Sequence, residues 1–425
     1  MTRLVSFLSK PTAAGKLFTL ASSCVMICTM NDSQRIYLDY AAATPLSAAA
    51  LAAMQPYLEG NFGNPSAIHA EGVMARRAIE SARASIARTV QVRPEYITFT
   101  GGGTEGNNLA IFGVIEAQRK AGKTYEEMEV ITTKIEHPSI GVAMERLSQL
   151  GVSVKYVAVD ETGKIVIAHL KELLTPKTVL TAVAYANSEI GTIQPLHAIK
   201  KALSESEKKH NTKIFFHVDA AQAPLWISCL SSTAGADMLV LDFAKCNGPK
   251  GTGAVIRSRR AELVATVYGG GQEDDLRPGT ENVPGIVGAS VAFVEAQQDW
   301  KQRAQQVSQV RDEAIAILKQ AVPELVINGA HGSERLANNV NVSISGLDTE
   351  FAAVVLDSKG FAVSTKSACA GAGGGESVVV KATTGDTARA AATLRFSLSP
   401  ETTVEDMQKL ATVLKGHIEQ MNQLA

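Results

Sequence analysis

The chain has 425 residues, of which 45% are hydrophobic and 20% are charged. This is the balance of a globular protein long enough for two domains with cores of their own. The 41 Lys and Arg residues are offset by 42 Asp and Glu residues, so the formal net charge is −1. Without a basic excess the chain has little to neutralise a phosphate backbone, which argues against nucleic-acid binding. We expect small molecules or other proteins as partners.

Residues 1–35 differ from the rest of the chain and predict a leader or a disordered N-terminal extension. The stretch 17–30 is apolar but too short to span a bilayer. It is compatible with a weak targeting leader, or with an extended start upstream of an initiator at Met30. No other stretch resembles a transmembrane segment, so we expect no membrane partner and a cytoplasmic location.

Five cysteines are spread along the chain without the spacing of a disulfide framework: Cys24, Cys28, Cys229, Cys246 and Cys369. An odd number in a long chain indicates free thiols in a reducing compartment. No second Cys or His pair follows Cys24 and Cys28 at the spacing of a zinc site, so no metal site is predicted.

From residue 36 onward, short apolar runs alternate with amphipathic stretches. The predicted strands are rich in Val, Ile and Phe and lie at 95–100, 129–135, 178–186, 213–220, 237–244 and 253–258. Such strands, separated by helices, indicate a largely parallel sheet that is covered on both faces. We therefore predict an α/β large domain over 36–290, with 36–48 able to pack against a second domain.

The pattern of predicted strands and helices changes after Pro284. One long helix is predicted over 287–322, a strand over 338–345, a helix over 350–360 that ends at Gly360, and a strand over 393–399. The glycine-rich run at 370–377 predicts a loop. These elements predict a smaller α+β C-terminal domain over 291–425.

Polar residues fall where several predicted strands end, which is where ligands bind in open α/β sheets. Gly103 and Thr104 follow one strand and open a helix, so their backbone N–H groups could hold a phosphate; a plain tight turn is the alternative. His137 follows another strand. Asp219, with Gln222 close behind it, ends a third and could pair with a protonated ring nitrogen, or could simply cap the next helix.

Lys245 follows the apolar strand 237–244, where partial desolvation favours the neutral amine that a Schiff base requires. Lys250 is a rival by composition, but it stands between Pro249 and Gly251 in a turn. Cys369 lies in a loop from which a thiolate could reach a substrate. Arg395, flanked by apolar residues, suits bidentate binding of a carboxylate.

Read together, these segments resemble the cysteine desulfurases, a NifS/IscS-like family among the class V aminotransferase-like enzymes that use pyridoxal 5′-phosphate (PLP). The resemblance runs from about residue 36 to the C-terminus. It rests on IYLDYAAATP, GNPSAIHAEG, TEGNNLAI, EHPS, AQAPLW, GPKGTGA, GGGQEDDLRPGTENVPG, SACAG and LRFSLSPETTVEDM, which occur in the family's order. It implies the fold-type-I architecture, with a mostly parallel seven-stranded sheet and a small C-terminal domain that carries the catalytic cysteine loop.

The resemblance also implies a cofactor site. Lys245 matches the Schiff-base lysine, and His137 the histidine that stacks on the pyridine ring and handles protons. Asp219 matches the partner of the ring nitrogen and Gln222 the donor to the ring hydroxyl. The remaining cofactor contacts match Asn187 beside the ring, Thr104 with Gly103 at the phosphate, and Thr280, a phosphate contact donated across a homodimer interface.

For the substrate, the resemblance implies that Asn64 and Arg395, with Asn187 nearby, bind the carboxylate of L-cysteine. Cys369 matches the nucleophile that accepts the sulfur. The products would be L-alanine and a Cys369 persulfide for transfer to an acceptor protein, either an iron–sulfur scaffold or another sulfur carrier such as one serving tRNA thiolation.

Two positions depart from the family pattern. Family members have serine and histidine where this chain has Asp242 and Ala244, which removes two phosphate donors and places a like charge beside the phosphate. The open alternatives are a selenocysteine lyase or another class V aminotransferase-like enzyme, and a catalytically weakened relative that acts as a binding partner.

Overall fold

The computed structural model describes residues 35–365 and 375–424. The strands in this part of the chain, numbered in chain order, are β1 Ile36–Tyr37, β2 Ile97–Thr100, β3 Glu129–Thr132, β4 Ser153–Tyr156, β5 Thr178–Ala184, β6 Phe215–Asp219, β7 Met238–Asp242, β8 Gly253–Arg257, β9 Val326–Ile327, β10 Asn339–Ser343, β11 Phe361–Ala362 and β12 Thr393–Ser397.

The helices of the same described ranges are α1 Ala48–Glu59, α2 Ala70–Val90, α3 Gly103–Lys120, α4 Pro138–Gln149, α5 Ile167–Leu173, α6 Leu196–His210, α7 Ser231–Ala234, α8 Val283–Gln298, α9 Trp300–Ala321, α10 Thr349–Ser358, α11 Val378–Thr384, α12 Thr387–Ala391 and α13 Val404–Leu424. No helix within these ranges is long and apolar enough to cross a membrane.

A seven-stranded sheet with the order β2-β8-β7-β6-β5-β3-β4 forms the centre of the fold. β8 runs antiparallel to β2 and β7, and the other neighbours are parallel. Successive residues of β7 face opposite sides, so Leu239 and Leu241 join one apolar cluster while Met238 and Val240 join another. Both faces are therefore covered, which confirms the predicted α/β class with a mostly parallel sheet.

A second, antiparallel sheet with the order β12-β10-β9 lies in the C-terminal part of the chain. The N-terminal strand β1 joins this part, because it pairs in parallel with β11 and Asp39 bridges to Ser397 of β12. The segment that follows β1 leads to Ala41 and Ala42, whose carbonyls accept hydrogen bonds from Gln222 and Lys245, residues that follow β6 and β7. It brings backbone carbonyls from one sheet to the strand ends of the other.

The single long helix predicted over 287–322 is wrong, because the structure has two helices that meet at Asp299. This residue lies outside helical geometry at φ −118°, ψ 19°. The break lets α8 pack on α1 and α2 while α9 packs on α13, so each half buries its apolar face against a different neighbour. The prediction also missed β4, whose residues are only partly buried and lack a long apolar run.

Candidate active site

A cavity opens at the carboxyl ends of β5, β6 and β7. Its walls come from the segment after β1, the start of α3, the β3–α4 connection, the loop after β5, and β12. The lining includes most of the residues for which the sequence predicts chemistry, namely Gly103, Thr104, His137, Asn187, Asp219, Gln222, Lys245 and Arg395, together with Asp242.

Lys245 ends a short 3₁₀ turn, Phe243–Lys245, that follows directly on β7. The turn is anchored by Phe243, which is fully buried and packs edge-on against Phe293 with ring centroids 5.9 Å apart. The Lys245 Nζ donates a hydrogen bond to the backbone carbonyl of Ala42 and lines the cavity. Lys250 is exposed and borders a different groove, so the geometry favours Lys245 as the reactive amine.

Asp219 is the last residue of β6 and is 8% exposed. Burial raises the pKa of its carboxyl group. Its hydrogen bonds within the described residues come from neutral donors, the Asn107 Nδ2 at 2.8 Å and the Ala221 N–H at 2.9 Å. A buried carboxylate of this kind is stabilised by a cationic partner, and a protonated pyridine nitrogen at the cavity wall would be one.

His137 is the N-cap of α4, and Ser139 holds its ring. The Ser139 Oγ lies 2.8 Å from the His137 Nδ1, and the Ser139 N–H donates to the same nitrogen at 3.1 Å. Burial lowers the pKa of His137, so the ring is neutral at physiological pH. A neutral imidazole lining the cavity can stack on an aromatic ring and exchange a proton.

The start of α3 forms the end of the cavity suited to a phosphate. Gly102, at φ +142°, turns the chain from β2 into α3, and the first N–H groups of this helix have no intrahelical acceptor. Asp242 already uses one of them, because its Oδ2 accepts from the Gly103 N–H at 3.3 Å, while its Oδ1 accepts from the Ala244 N–H at 3.0 Å. The helix start fits an anion, and a carboxylate of the chain itself competes for it.

Arg395 in β12 also lines the cavity and is only 1% exposed. Its Nη2 bonds to Asp39 at 2.7 Å and its Nη1 to the Ser188 carbonyl at 3.0 Å. Its buried Nε has no hydrogen-bond partner among the described residues. A buried guanidinium with unused donor capacity at a cavity wall is suited to a carboxylate ligand.

Asn187 and Gln222 line the cavity but use their side chains locally. The Asn187 Nδ2 donates to the Ile135 carbonyl, and its Oδ1 accepts the N–H groups of Glu189 and Ile190. The Gln222 Nε2 donates to the Ala41 carbonyl at 2.9 Å. Asn187 therefore shapes the loop after β5, and the Gln222 amide nitrogen is held toward the segment after β1.

Two predicted residues within the described ranges are not brought into this cavity. Asn64 and Thr280 are exposed and do not line it, and the Asn64 Oδ1 instead accepts the Ser66 N–H in a local turn. Cys369 lies outside the described residues. No group of three or more His, Cys, Asp or Glu that could hold a metal occurs in the described part of the chain.

Sequence reasoning missed Asp39, Asn107 and Ser139. Asp39 pairs with Arg395, and the other two lie beneath Asp219 and His137. A signal was present for Asn107, which follows Gly103 by one helical turn, so an amide there falls on the helix face that contains buried residues. Asp39 had no such signal, because its partner is remote in the chain.

A cavity that combines a half-buried lysine, a buried carboxylate and a helix start suited to an anion, at the strand ends of a mostly parallel seven-stranded sheet, defines a PLP-dependent enzyme of fold type I. Comparison with known proteins narrows this class. The aminotransferase class-V family model matches residues 36–410.

Among curated relatives, the cysteine desulfurase IscS of Dictyoglomus turgidum is 36% identical over 392 residues, covering 92% of this chain and 96% of its own. The cysteine desulfurase IscS 1 of Archaeoglobus fulgidus is 36% identical over 390 residues, covering 92% and 98%. The chain therefore belongs to the aminotransferase class-V family, in its NifS/IscS cysteine desulfurase branch, whose members are PLP-dependent.

Solved structures agree with this placement. A NifS-like protein superposes with a TM-score of 0.82 at 28% identity, over 91% of this chain and 99% of its own. A structure described as SspA in complex with cysteine superposes with a TM-score of 0.71 at 33% identity, over 86% and 99%. The predicted family, fold class and cofactor are confirmed.

Proposed function

We propose that this chain is a cysteine desulfurase that binds PLP at the strand ends of the main sheet, with Lys245 as its Schiff-base residue. The observation that carries the proposal is that Lys245, Asp219, His137 and Arg395 line one cavity. The cysteine desulfurase relatives and the cysteine-bound neighbour support L-cysteine as substrate.

Bound PLP would supply an electron sink conjugated with the Cα of the substrate. The residues of this chain would hold it at three points: Asp219 at the ring nitrogen, His137 on the ring face, and the Gly103–Thr104 helix start at the phosphate. The buried Arg395 would bind the substrate carboxylate, which places Cα on the side of the cavity that Lys245 reaches. The Lys245 amine would then move the proton at Cα.

Cys369 is proposed as the sulfur acceptor from its sequence context, and the flanks of its segment support the assignment. Ser364, before it, pairs with Arg395 through two backbone hydrogen bonds. Ser377, after it, donates its hydroxyl to Glu189, which follows the cavity residues Asn187 and Ser188. Both ends of the segment therefore adjoin the cavity wall.

In the proposed step the Cys369 thiolate attacks the substrate sulfur, and the bond between that sulfur and the substrate Cβ breaks. The carbon keeps the electron pair and takes up a proton, which yields alanine. The sulfur stays on Cys369 as a persulfide. Sulfur, electrons and protons balance without an external oxidant, and the persulfide sulfur is then available to an acceptor.

Replacing Cys369 by Ala should abolish alanine formation from L-cysteine and leave the visible absorption of bound PLP in place. Cys229→Ala is the matched control, because burial raises the pKa of that thiol and makes it a poor nucleophile. The control should keep its alanine yield. Undiminished alanine from the Cys369 variant would refute the nucleophile assignment.

Lys245→Ala should remove the Schiff-base absorption that the purified protein shows after incubation with PLP. Lys250→Ala should retain it, since Lys250 is exposed and lies outside the cavity. The reverse pattern in the two spectra would overturn the choice between the lysines.

We further propose a homodimer in the cytoplasm that delivers sulfur to an iron–sulfur scaffold or another sulfur carrier. Exposed apolar side chains support the dimer, since Phe62 and Ile68, 79% and 95% exposed, flank Asn64, and Tyr268, 85% exposed, precedes Thr280. If a second chain covered these segments, Asn64 and Thr280 would lie close to an active-site cavity of the dimer. Sedimentation equilibrium at micromolar concentration tests this, and a monomer would refute it.

One observation favours a second candidate function. The bond between Asp242 and Gly103 weakens the phosphate end of the cavity and fits a relative that retains the fold but serves as a binding partner. Absence of any PLP absorption after reconstitution would favour this candidate.

Parallel assays with cysteine and selenocysteine separate the desulfurase from a selenocysteine lyase.

A further inference from the structure

A buried polar network forms part of the cavity wall and centres on Asn107 of α3, which is 1% exposed. Its Nδ2 donates to the Asp219 Oδ2 at 2.8 Å and to the Ser139 Oγ at 2.9 Å. Its Oδ1 lies 3.0 Å from the His217 Nε2. One amide thus joins the Asp219 carboxylate to the serine that holds His137.

Hydrogen-bond chemistry determines which way this amide points. A primary amide has two N–H donors and one acceptor oxygen, and Asp219 and Ser139 take the two donors. The reverse orientation would set the amide oxygen against the Asp219 carboxylate. The Oδ1 therefore accepts from His217, which must carry its proton on Nε2. Burial lowers the pKa of His217 to about 3, so that ring is neutral.

The same count of hydrogen-bond donors and acceptors applies to Ser139 and His137. The Ser139 Oγ accepts from Asn107, so its own hydrogen is available to the His137 Nδ1 at 2.8 Å. The Ser139 N–H donates to that nitrogen as well. The His137 Nδ1 is thus an acceptor, and the neutral ring carries its proton on Nε2.

We propose that Asn107 is a positioning residue that keeps Asp219 ionised and directed at the cofactor ring nitrogen, and that orients His137 through Ser139. The inference rests on the proposed cofactor site. In this role Asn107 acts through the two side chains to which it is linked, Asp219 directly and His137 by way of Ser139.

Several charged groups surround this network and influence the protonation of its members. His137 and Asp242 interact electrostatically with Asp219, and Asp219 interacts electrostatically with Glu136. Lys245 interacts electrostatically with His137. None of them donates a hydrogen bond to the Asp219 Oδ2, which the Asn107 amide contacts. Removing the amide leaves the Ala221 N–H, on the other oxygen, as the remaining hydrogen bond to Asp219 within the described residues.

The test compares the affinities of two cofactors for the apo protein. PLP has a ring nitrogen that Asp219 can bind, and its 1-deaza analogue has a carbon there. Asn107→Leu replaces the amide by an apolar side chain of similar size. We expect its Kd for PLP to rise about tenfold or more, because a hydrogen bond to a charged group is lost. Its Kd for the analogue should stay within about twofold of wild type.

A residue that served only packing would weaken both cofactors equally, so equal losses would overturn the proposal, as would an unchanged Kd for PLP. Asn328→Leu is the matched control, because Asn328 is also a buried amide, bonded to Asn341 and Ser343 outside the cavity. It should lower thermal stability and leave the ratio of the two Kd values unchanged.

Two further variants keep the test decisive if Asn107→Leu fails to fold. His217→Leu removes the group that orients the amide and should give a smaller PLP-specific loss, about threefold. Ser139→Ala interrupts only the branch to His137, so it should slow turnover without changing the Kd ratio. Binding does not require turnover, so a wild-type protein that binds PLP but forms no alanine would refute the desulfurase proposal and leave this one standing.

Discussion

Asp242 should weaken cofactor binding, and its removal should strengthen it. The Asp242 Oδ2 accepts the Gly103 N–H at 3.3 Å, at the helix start where a PLP phosphate would be bound. A phosphate oxygen that shared this donor would lie at about 2.9 Å from the nitrogen. The carboxylate and phosphate would then be about 4–5 Å apart, and the phosphate carries a charge of about −1.5 to −2.

Two unit charges about 4 Å apart repel by about 1 kcal/mol in water and by about 4 kcal/mol at the effective dielectric near a protein surface. Asp242 is half-buried, so we take about 2 kcal/mol as the cost to PLP binding, equivalent to a factor of about 30 in Kd. Asp242→Ser should lower the Kd by roughly this factor, since a hydroxyl adds a donor and removes the charge.

Titration of the apo protein with PLP, followed by visible absorbance, measures the change. Asp242→Asn is the matched variant, because it keeps an acceptor for the Gly103 and Ala244 N–H groups and removes only the charge. If charge repulsion weakens PLP binding, Asp242→Asn should show most of the gain in affinity that Asp242→Ser shows. A Kd that is unchanged or raised in Asp242→Asn would refute the reasoning.

Burial raises the pKa of Glu136 to about 8, so the folded state binds a proton that the unfolded state releases above about pH 4.5. The free energy of unfolding should therefore fall by about 1.4 kcal/mol per unit as pH rises from about 5 to 8, and Glu136→Gln should flatten that slope in urea titrations; an equally steep slope would contradict this. Arg395→Lys should raise the KM for cysteine about tenfold or more with a smaller change in kcat, because the planar fork is lost, and steady-state kinetics showing an unchanged KM would count against the carboxylate role. Asp275 adopts φ +62°, so Asp275→Gly should raise the free energy of unfolding by about 0.5–1 kcal/mol; the same change at Asp348, a helix N-cap at φ −71°, should not.

Local patterns in the sequence were sufficient for six of the seven strands of the main sheet and for most of the cavity. Lys245 and Asp219 end or follow apolar strands, and the ends of neighbouring strands in a mostly parallel sheet converge. The same patterns failed at Asp299, where helical periodicity runs through a break that exists because the two halves pack on different neighbours. They also failed for β4, whose partly buried residues lack the apolar run of a central strand.

The sequence by itself determined the family and the cofactor, because these depend on motifs that occur in a fixed order along the chain. Only the tertiary structure decided the partners of the cavity residues. Asp242 meets Gly103 from 139 residues away, and Asn107 meets Asp219 from 112 residues away. Such contacts depend on which strands become neighbours and which way each side chain points. The order of strands in a sheet leaves no periodic trace in the chain, so these pairings emerge only when the fold brings the segments together.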